Sequence, residues 1–289
     1  MSTATNSTIL DCLDDLPELR PFPTAASRLL SACDDPGTDS KILAEIIQRD
    51  PGFAAKILQV ANSSLYGCSG KIRTIDQAVV MLGFRSVKDI AISMAGAAVF
   101  ANGNTASVER EQLWHHSLGC ATVARKLATC IPGILPDEAF LAGIFHDVGK
   151  LIFFDLVSNE YAPLVAQHSR GDLLDAEFNT FGITHEELGI ECGEDWGLSQ
   201  AVNCSIGFHH SIDDAPDFGD LVALTSLADA QARRWGLGQQ SAADLDQNLC
   251  KLGVDLVEES SFSFSEQQLE KIHAECIENF EEVRDICGG

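Results

Sequence analysis

The residues most able to carry chemistry are histidines and acids in the middle of the chain. Seven of the eight histidines lie between positions 115 and 210. The central motif is FHDVGK at 145–150, in which His146 and Asp147 are adjacent and Lys150 follows within one helical turn. These three side chains could hold a metal ion and place a cation beside a phosphate oxygen. A His-Asp pair alone is a weak signal, so residues elsewhere in the chain decide its interpretation.

Further candidate ligands lie in other helical segments. His116 falls on an apolar stripe that faces the core, where an imidazole needs a hydrogen bond or a metal ion. Asp229 lies in the largely apolar segment ALTSLADAQA, where an uncompensated carboxylate is costly. His185 lies in the first turn of a capped helix, and a His-His pair ends the segment QAVNCSIGF. We interpret as metal ligands His116, His146, Asp147 and Asp229; for His185, His209 and His210 a structural role is an equal alternative.

The candidate ligands offer nitrogen and oxygen but no thiolate. The ten cysteines are spread along the chain without a C-x-x-C pair, which is typical of buried small residues or free thiols. Nitrogen and oxygen ligands suit Fe, Mn, Mg or Zn in an open site, and we favour Fe or Mn over Mg or Zn. If the site acted on a phosphoester, a divalent metal there would activate a water, Asp147 or a histidine would orient that water, and Lys150 would offset the developing charge.

Helix signals dominate the elements that must position these residues. Capping residues precede apolar helical patterns at Asp39 and Ser40, at 74–77, at 184–187 and at 265–268, and Gly83 is predicted to end a helix. The spacing of apolar residues predicts one helix from Asp137 to Phe154 that carries the His-Asp pair on its surface. No alternating β pattern is present. We therefore predict an all-α, multi-helical fold.

The chain divides at two breaks. The small, polar stretch 101–107 separates an N-terminal helical lobe at 10–100 from a helical core at 108–236 that contains the candidate metal site. The sequence GLGQQSAAD after Trp235 introduces an acidic, helical C-terminal tail at 237–289. We therefore expect two packed helical lobes followed by a tail.

Charge and composition exclude several classes of protein. The formal net charge is −24, and no run of lysine or arginine occurs, so neither direct nucleic-acid binding nor binding to an anionic membrane is expected. No apolar stretch reaches the roughly 18 residues of a transmembrane helix, and the N-terminus lacks the features of a signal peptide. We expect a cytoplasmic protein.

Taken in order, the motifs resemble those of the HD superfamily of metal-dependent phosphohydrolases. They are W-x-H-S at 114–117, G-x-x-H-D-V-G-K at 143–150, T-H-E-E-L-G at 184–189, F-H-H at 208–210 and L-A-D at 227–229. In the N-terminal half, the segments LPELRPFPTAASRLL, IIQRDPGFAAKILQVANSSLYG and IDQAVVMLGFRSVKDI resemble the HDOD branch of that superfamily. The resemblance covers roughly 15–235, most of the chain.

The resemblance implies an all-α fold with an HD-like helical core and a place in bacterial signal transduction. It also implies that the primary metal ligands are His116, His146, Asp147 and Asp229. Three further histidines match those of two-metal HD phosphodiesterases: His185, His209 and His210. Lys150 matches the lysine that lies near the phosphate.

Three functions are compatible with these observations. The first, which the sequence favours, is a regulatory or interaction module that contacts other signalling proteins. The second is a metal-dependent phosphohydrolase acting on a phosphorylated small molecule, either a phosphomonoester or a cyclic nucleotide. The third is metal or redox sensing. The segment after His210 lacks a Gly-Tyr-Pro signature and is acidic, which disfavours hydrolysis of cyclic-di-GMP.

Overall fold

A computed structural model describes residues 9, 28, 32, 37–63, 66, 71–101, 108–168, 170–238 and 264–287. Within these residues the chain is helical and contains no strand, which confirms the predicted all-α class. The helices in chain order are α1 (Ser40–Gln48), α2 (Pro51–Ala61), α3 (Ile75–Ala101), α4 (Val108–Ala128), α5 (Pro136–Phe145), α6 (Val148–Gln167), α7 (Arg170–Phe181), α8 (His185–Asp195), α9 (Gln200–Phe208), α10 (Gly219–Arg234) and α11 (Glu266–Cys287).

The predicted helix starts are set by side chains that satisfy free backbone N–H groups. The Asp39 carboxylate accepts hydrogen bonds from the backbone N–H groups of Lys41 and Ile42, and α1 begins directly after it. At α8, Thr184 and Glu187 form a complete capping box. The first residue of α8 is His185, so this cap fixes where a candidate ligand enters its helix.

Two other local predictions are also confirmed. Ser265 Oγ accepts a hydrogen bond from the backbone N–H of Gln268, and α11 begins at the residue after Ser265. Gly83 has φ 85° and ψ 160°, which interrupts the helical path of α3 as the sequence indicates. The predicted linker is not tested, because residues 102–107 lie outside the part of the chain that the structure describes.

The prediction of one helix through the His-Asp pair is wrong. Helix α5 begins at Pro136, with Leu135 rather than Asp137 at its N-cap. It ends before His146, and α6 begins after Asp147, whose backbone has φ −104° and ψ 15°. The pair therefore lies at a junction between two helices, where its side chains can converge more easily than on one helical surface.

The apolar spacing concealed this junction because both helices are buried on many sides. The apolar residues on both sides of the break are buried from solvent: Leu141, Ile144, Phe145, Val148, Leu151 and Ile152. A segment surrounded by core has no polar face to mark a change in direction. Periodicity therefore reports helix content here but not the position of the break.

The described side chains form two hydrophobic clusters. The smaller cluster gathers residues of α1, α2 and the first part of α3, among them Leu43, Ile57 and Val79. The larger cluster gathers residues from the end of α3 through α10, and it also includes apolar residues of α11. The candidate ligands lie on helices of the larger cluster. No described helix has the length and apolarity needed to cross a lipid bilayer.

Two glycines allow the helices around the His-Asp pair to approach closely. A side chain at Gly149 would place its Cβ 1.9 Å from the carbonyl oxygen of His185, so α6 and α8 meet backbone to backbone. A Cβ at Gly143 would lie 2.5 Å from the Cα of Ala121, which brings α5 against α4 in the same way. These contacts bring the junction close to the helices that carry the other candidate ligands.

Candidate metal centre

All of the predicted metal ligands come together in space, although they belong to five separate parts of the fold. His116 lies in α4, and the His-Asp pair joins α5 to α6. His185 opens α8, His209 follows α9 with His210 next to it, and Asp229 lies in α10. All are buried except His210, which is partly exposed.

The first group of side chains surrounds one oxygen of Asp147. His146 Nε2 lies 3.3 Å from Asp147 Oδ2, and His116 Nε2 lies 3.9 Å from the same oxygen. Asp229 Oδ1 is 2.8 Å from His116 Nε2 and 3.8 Å from His146 Nε2. Two imidazole nitrogens and two carboxylates therefore face one small space.

The second group surrounds the other oxygen of the same carboxylate. His185 Nε2 lies 3.5 Å and His209 Nε2 lies 3.4 Å from Asp147 Oδ1. Together with His210, these residues offer ligand atoms that all lie within 4.8 Å of one another. Asp147 thus belongs to both groups and presents one oxygen to each.

Hydrogen bonds on the outer ring nitrogens orient three of the imidazoles. His146 Nδ1 lies 2.9 Å from the carbonyl oxygen of Gly143, and His209 Nδ1 lies 3.0 Å from that of Ile206. Because a carbonyl oxygen only accepts, Nδ1 of each ring donates this hydrogen bond, and Nε2 of each ring faces the centre. Within the described residues, Nε2 of His146 and of His185 has no hydrogen-bond partner.

His185 is oriented by a buried carboxylate that sequence reasoning missed. Glu177 Oε2 accepts hydrogen bonds from the backbone N–H of His185 at 2.8 Å and from its Nδ1 at 2.7 Å. Tyr161 donates its hydroxyl hydrogen to Glu177 Oε1 at 2.6 Å. No motif marks Glu177 in the sequence, since only the packing of α7 against the core makes this carboxylate buried.

A second buried acid supports the His-His pair. Glu186 Oε1 accepts a hydrogen bond from the backbone N–H of His210 at 3.0 Å and lies 3.5 Å from His209 Nδ1. The capping box drew attention to Glu187, whose side chain closes the box at the surface. Glu186 faces the opposite way, into the protein.

Two cations neutralise the carboxylates of the centre. Lys150 Nζ lies 2.8 Å from both oxygens of Asp147. Arg233, which sequence reasoning also missed, donates from Nε to Asp229 Oδ1 at 2.9 Å, and its Nη2 is 3.7 Å from Asp147 Oδ2. Arg233 follows Asp229 by four residues on one helix, and this acid–base spacing is the signal that could have identified it.

Burial and charge set the protonation states. Burial lowers the pKa of His116 to about 4 and the pKa of His209 to about 3, so both rings are neutral near pH 7. Burial alone would raise the pKa of Asp147, yet His146 and Lys150 hold it well below its usual range. Burial alone would also lower the pKa of His146, yet the adjacent Asp147 carboxylate raises it well above its usual value. Since neutral imidazoles and ionised carboxylates coordinate metals, His146 would have to release a proton when a metal ion binds.

These residues fit a divalent metal ion. Buried nitrogen atoms without hydrogen-bond partners are costly, and a cation at the focus of the ring nitrogens and carboxylates would satisfy them. Histidines held on their outer nitrogen by a carbonyl or carboxylate are the arrangement found around metals in proteins. The donor set is nitrogen and oxygen, as the sequence indicates.

Comparison with known proteins identifies the family. The chain matches the HDOD domain over residues 19–212. An uncharacterized protein of Treponema pallidum (strain Nichols) is 22% identical over 236 residues, which cover 80% of this chain but 45% of that protein. The present chain therefore spans less than half the length of this relative.

Solved structures share the fold. A proposed phosphohydrolase of Shewanella amazonensis SB2B is similar with a TM-score of 0.73 and 22% identity, covering 96% of this chain and 98% of that one. An HDOD domain protein of unknown function from Geobacter sulfurreducens is similar with a TM-score of 0.70 and 24% identity, covering 98% of this chain and 96% of that one. The family match extends over more than half of the sequence, and the chain therefore belongs to the HDOD domain family.

Proposed function

We propose that this chain is a metal-dependent phosphohydrolase that acts on a phosphorylated small molecule in signal transduction. The observation that carries the proposal is the division of the candidate ligands into two groups that share Asp147. Ring nitrogens that face inward and lack hydrogen bonds have little structural purpose in a protein that acts only through its surface. The same centre supports a catalytic role better than a purely structural one.

The two groups would each hold one divalent ion, with Asp147 between them. The first ion would be bound by His116, His146, Asp147 and Asp229, and the second by Asp147, His185, His209 and His210. Fe or Mn is favoured over Mg, which prefers oxygen ligands, and over Zn, which prefers fewer ligands. When bound, such ions supply Lewis acidity and a water of lowered pKa.

The remaining chemistry comes from side chains of the chain itself. Asp147 has one oxygen toward each group, so it would fix the separation between them. Lys150 Nζ contacts that carboxylate and would offset the negative charge that develops on a phosphoryl group. The near-complete burial of His146, Asp147, His185 and His209 excludes bulk water and strengthens each of these interactions.

A small substrate is favoured by the acidic segment that follows His210. Asp213 and Asp214 lie in a short 3-10 helix at Ile212–Asp214, and both are exposed. Their charge would repel a large ligand with several phosphates more strongly than a single phosphoester. We therefore favour a phosphomonoester or a simple phosphodiester.

A regulatory module that contacts other signalling proteins is the second candidate. Lys150 and Arg233 already pair with Asp147 and Asp229, so both carboxylates have a cationic partner without a metal ion. A fold in which these carboxylates are paired in this way could serve as a scaffold for protein contacts. This candidate predicts that substitutions at the ligands leave signalling unaffected.

Metal analysis combined with an assay of generic phosphoesters tests the proposal. Purified protein is treated with a chelator, reloaded with Mn²⁺ or with Fe²⁺ under anaerobic conditions, and assayed with p-nitrophenyl phosphate and bis-p-nitrophenyl phosphate. His146→Ala and Asp147→Ala should lose metal and at least about a hundredfold in activity. His168→Ala is the matched control, because His168 is exposed on the surface.

The outcomes separate the candidates. Wild-type protein that neither contains nor takes up metal excludes hydrolysis and metal sensing, and leaves the regulatory module. Metal uptake without phosphoester hydrolysis favours sensing or regulation. Hydrolysis that persists in His146→Ala and Asp147→Ala would come from a contaminant or from another site.

A further inference from the structure

Arg233 occupies a position at the centre that its pairing with Asp229 does not fully explain. Its Nε donates to Asp229 Oδ1 at 2.9 Å, whereas Nη2 lies 3.7 Å from Asp147 Oδ2. Lys150 Nζ contacts the same oxygen at 2.8 Å. Two cations of different type therefore flank one carboxylate. A guanidinium that uses one edge for a carboxylate keeps further N–H donors for another acceptor.

Arg233 is the more exposed of the two cations beside Asp147. Its side chain is 22% exposed, compared with 8% for Lys150 and 1% for Asp147. Part of the Arg233 side chain is therefore open to solvent beside a buried centre. In a chain with a net charge of −24, a cation at this place could attract an anion locally.

The charge balance of the centre indicates which ligand would bind there. Lys150 pairs with Asp147 and Arg233 pairs with Asp229, so each of these carboxylates has a cation beside it before any metal ion enters. Each divalent ion that enters adds two positive charges in a buried place. Since uncompensated buried charge is costly, a loaded centre favours the binding of an anion beside the metal ions.

We infer that Arg233 is an anion-binding residue of this centre and, with Lys150, receives the phosphate dianion of the substrate or product. The inference rests on the proposed function and deepens it by naming the residue that recognises the phosphoryl group. The planar fork of N–H donors matches two phosphate oxygens, which a lysine cannot do. The contact to Asp229 keeps the guanidinium in place before the anion arrives.

The inference is tested by titrating inorganic phosphate into Mn²⁺-loaded and chelator-treated protein while the metal content is measured. Arg233→Gln should weaken phosphate binding by about 10- to 100-fold, the loss expected for a charge-assisted hydrogen bond, with unchanged metal content. Arg233→Lys should lie between the two because it keeps the charge without the fork. Arg234→Gln removes the same charge from the neighbouring position, about 100° around the helix, and should stay within about twofold of wild type.

Several results would overturn the inference. Equal phosphate affinity in wild type and Arg233→Gln would do so, as would a parallel loss of metal, which would mean that Arg233 merely positions Asp229. Failure of wild-type protein to bind phosphate in either state would also overturn it, although Mn²⁺ uptake would then still support the metal centre. If Mn²⁺ does not bind, the proposed function fails, and phosphate binding to metal-free protein still decides the role of Arg233.

Discussion

Hydrogen bonds on the outer atoms of the site residues determine what their inner atoms can do. The ring of His185 is held by Glu177, and Glu177 is held in turn by Tyr161. This chain of buried groups leaves only Nε2 of His185 for an interaction with the centre. The ring therefore does not need to reorganise before it binds a cation, and such preorganisation raises affinity.

We predict that Glu177→Gln selectively weakens the second group of ligands. An amide can still hydrogen-bond to the ring, but it lacks the charge that makes the imidazole a better donor to a metal. We expect metal affinity at this group to fall by about 10- to 100-fold, while the first group keeps its affinity. Isothermal titration with Mn²⁺ would resolve the two events.

Tyr161→Phe is the milder control for this substitution. It removes the hydrogen bond to Glu177 but leaves the contact between Glu177 and His185. Its effect on metal affinity should be smaller than that of Glu177→Gln. An equal loss at both groups in Glu177→Gln would indicate general destabilisation rather than a role at His185.

Helix crossings set the distance between the ligand groups. Helices α6 and α8 meet where Gly149 faces the backbone of His185, next to the His-Asp pair. The same crossing that buries the helices therefore fixes how far Asp147 lies from the His185 ring. A change in the packing of α6 against α8 would therefore also change the distance between Asp147 and the His185 ring.

Gly149→Ala should therefore disrupt both stability and metal binding. The added Cβ would lie 1.9 Å from a backbone carbonyl oxygen, so α8 must move away. We expect a loss of about 3 kcal/mol or more in the free energy of unfolding, together with weaker metal binding at the second group. Chemical denaturation and metal titration would measure the two effects.

Gly219→Ala is the matched control for Gly149→Ala. A Cβ at Gly219 meets nothing within 4 Å, and the backbone there is not in the left-handed region. We expect a change within about 0.5 kcal/mol. Similar behaviour of the two variants would mean that the close approach of α6 and α8 does not limit the fold.

Parts of the chain that are distant in sequence pack against the helices that carry the metal centre. The last helix, α11, contributes Ile272, Cys276, Phe280 and Val283 to the larger hydrophobic cluster. Near the other end, Ser86 donates to Asp137 at 2.8 Å, and the Arg125 guanidinium lies 4.2 Å from the centre of the Tyr66 ring. These contacts connect both clusters to the helices that carry the metal centre.

The contribution of α11 can be measured with two substitutions on the same helix. Phe280 is 4% exposed, so Phe280→Ala should cost about 3–5 kcal/mol in the free energy of unfolding. Ile277 is 44% exposed, so Ile277→Ala should cost about 1 kcal/mol or less. Denaturation by urea would compare them. Equal losses would contradict the packing of α11 against the core.

The sequence by itself predicted the helical class and several helix ends, and it singled out as candidate ligands residues that the structure brings together. Caps at Asp39, Thr184 and Ser265 depend on contacts within four residues, and Gly83 depends on its own backbone conformation. Such signals are local, so they can be identified without the fold. His116 and Asp229 could be singled out because a buried histidine or aspartate needs a partner wherever it lies. A ligand role for His185, His209 and His210 followed from the family resemblance.

Only the tertiary structure decided how these residues combine. The break at His146 and Asp147, the sharing of Asp147 between two groups, and the roles of Glu177 and Arg233 all arise from helix crossings between residues far apart in the chain. Helical periodicity describes which face of one helix is apolar. It does not describe which helices meet, and the distances between side-chain atoms at this centre follow from that meeting.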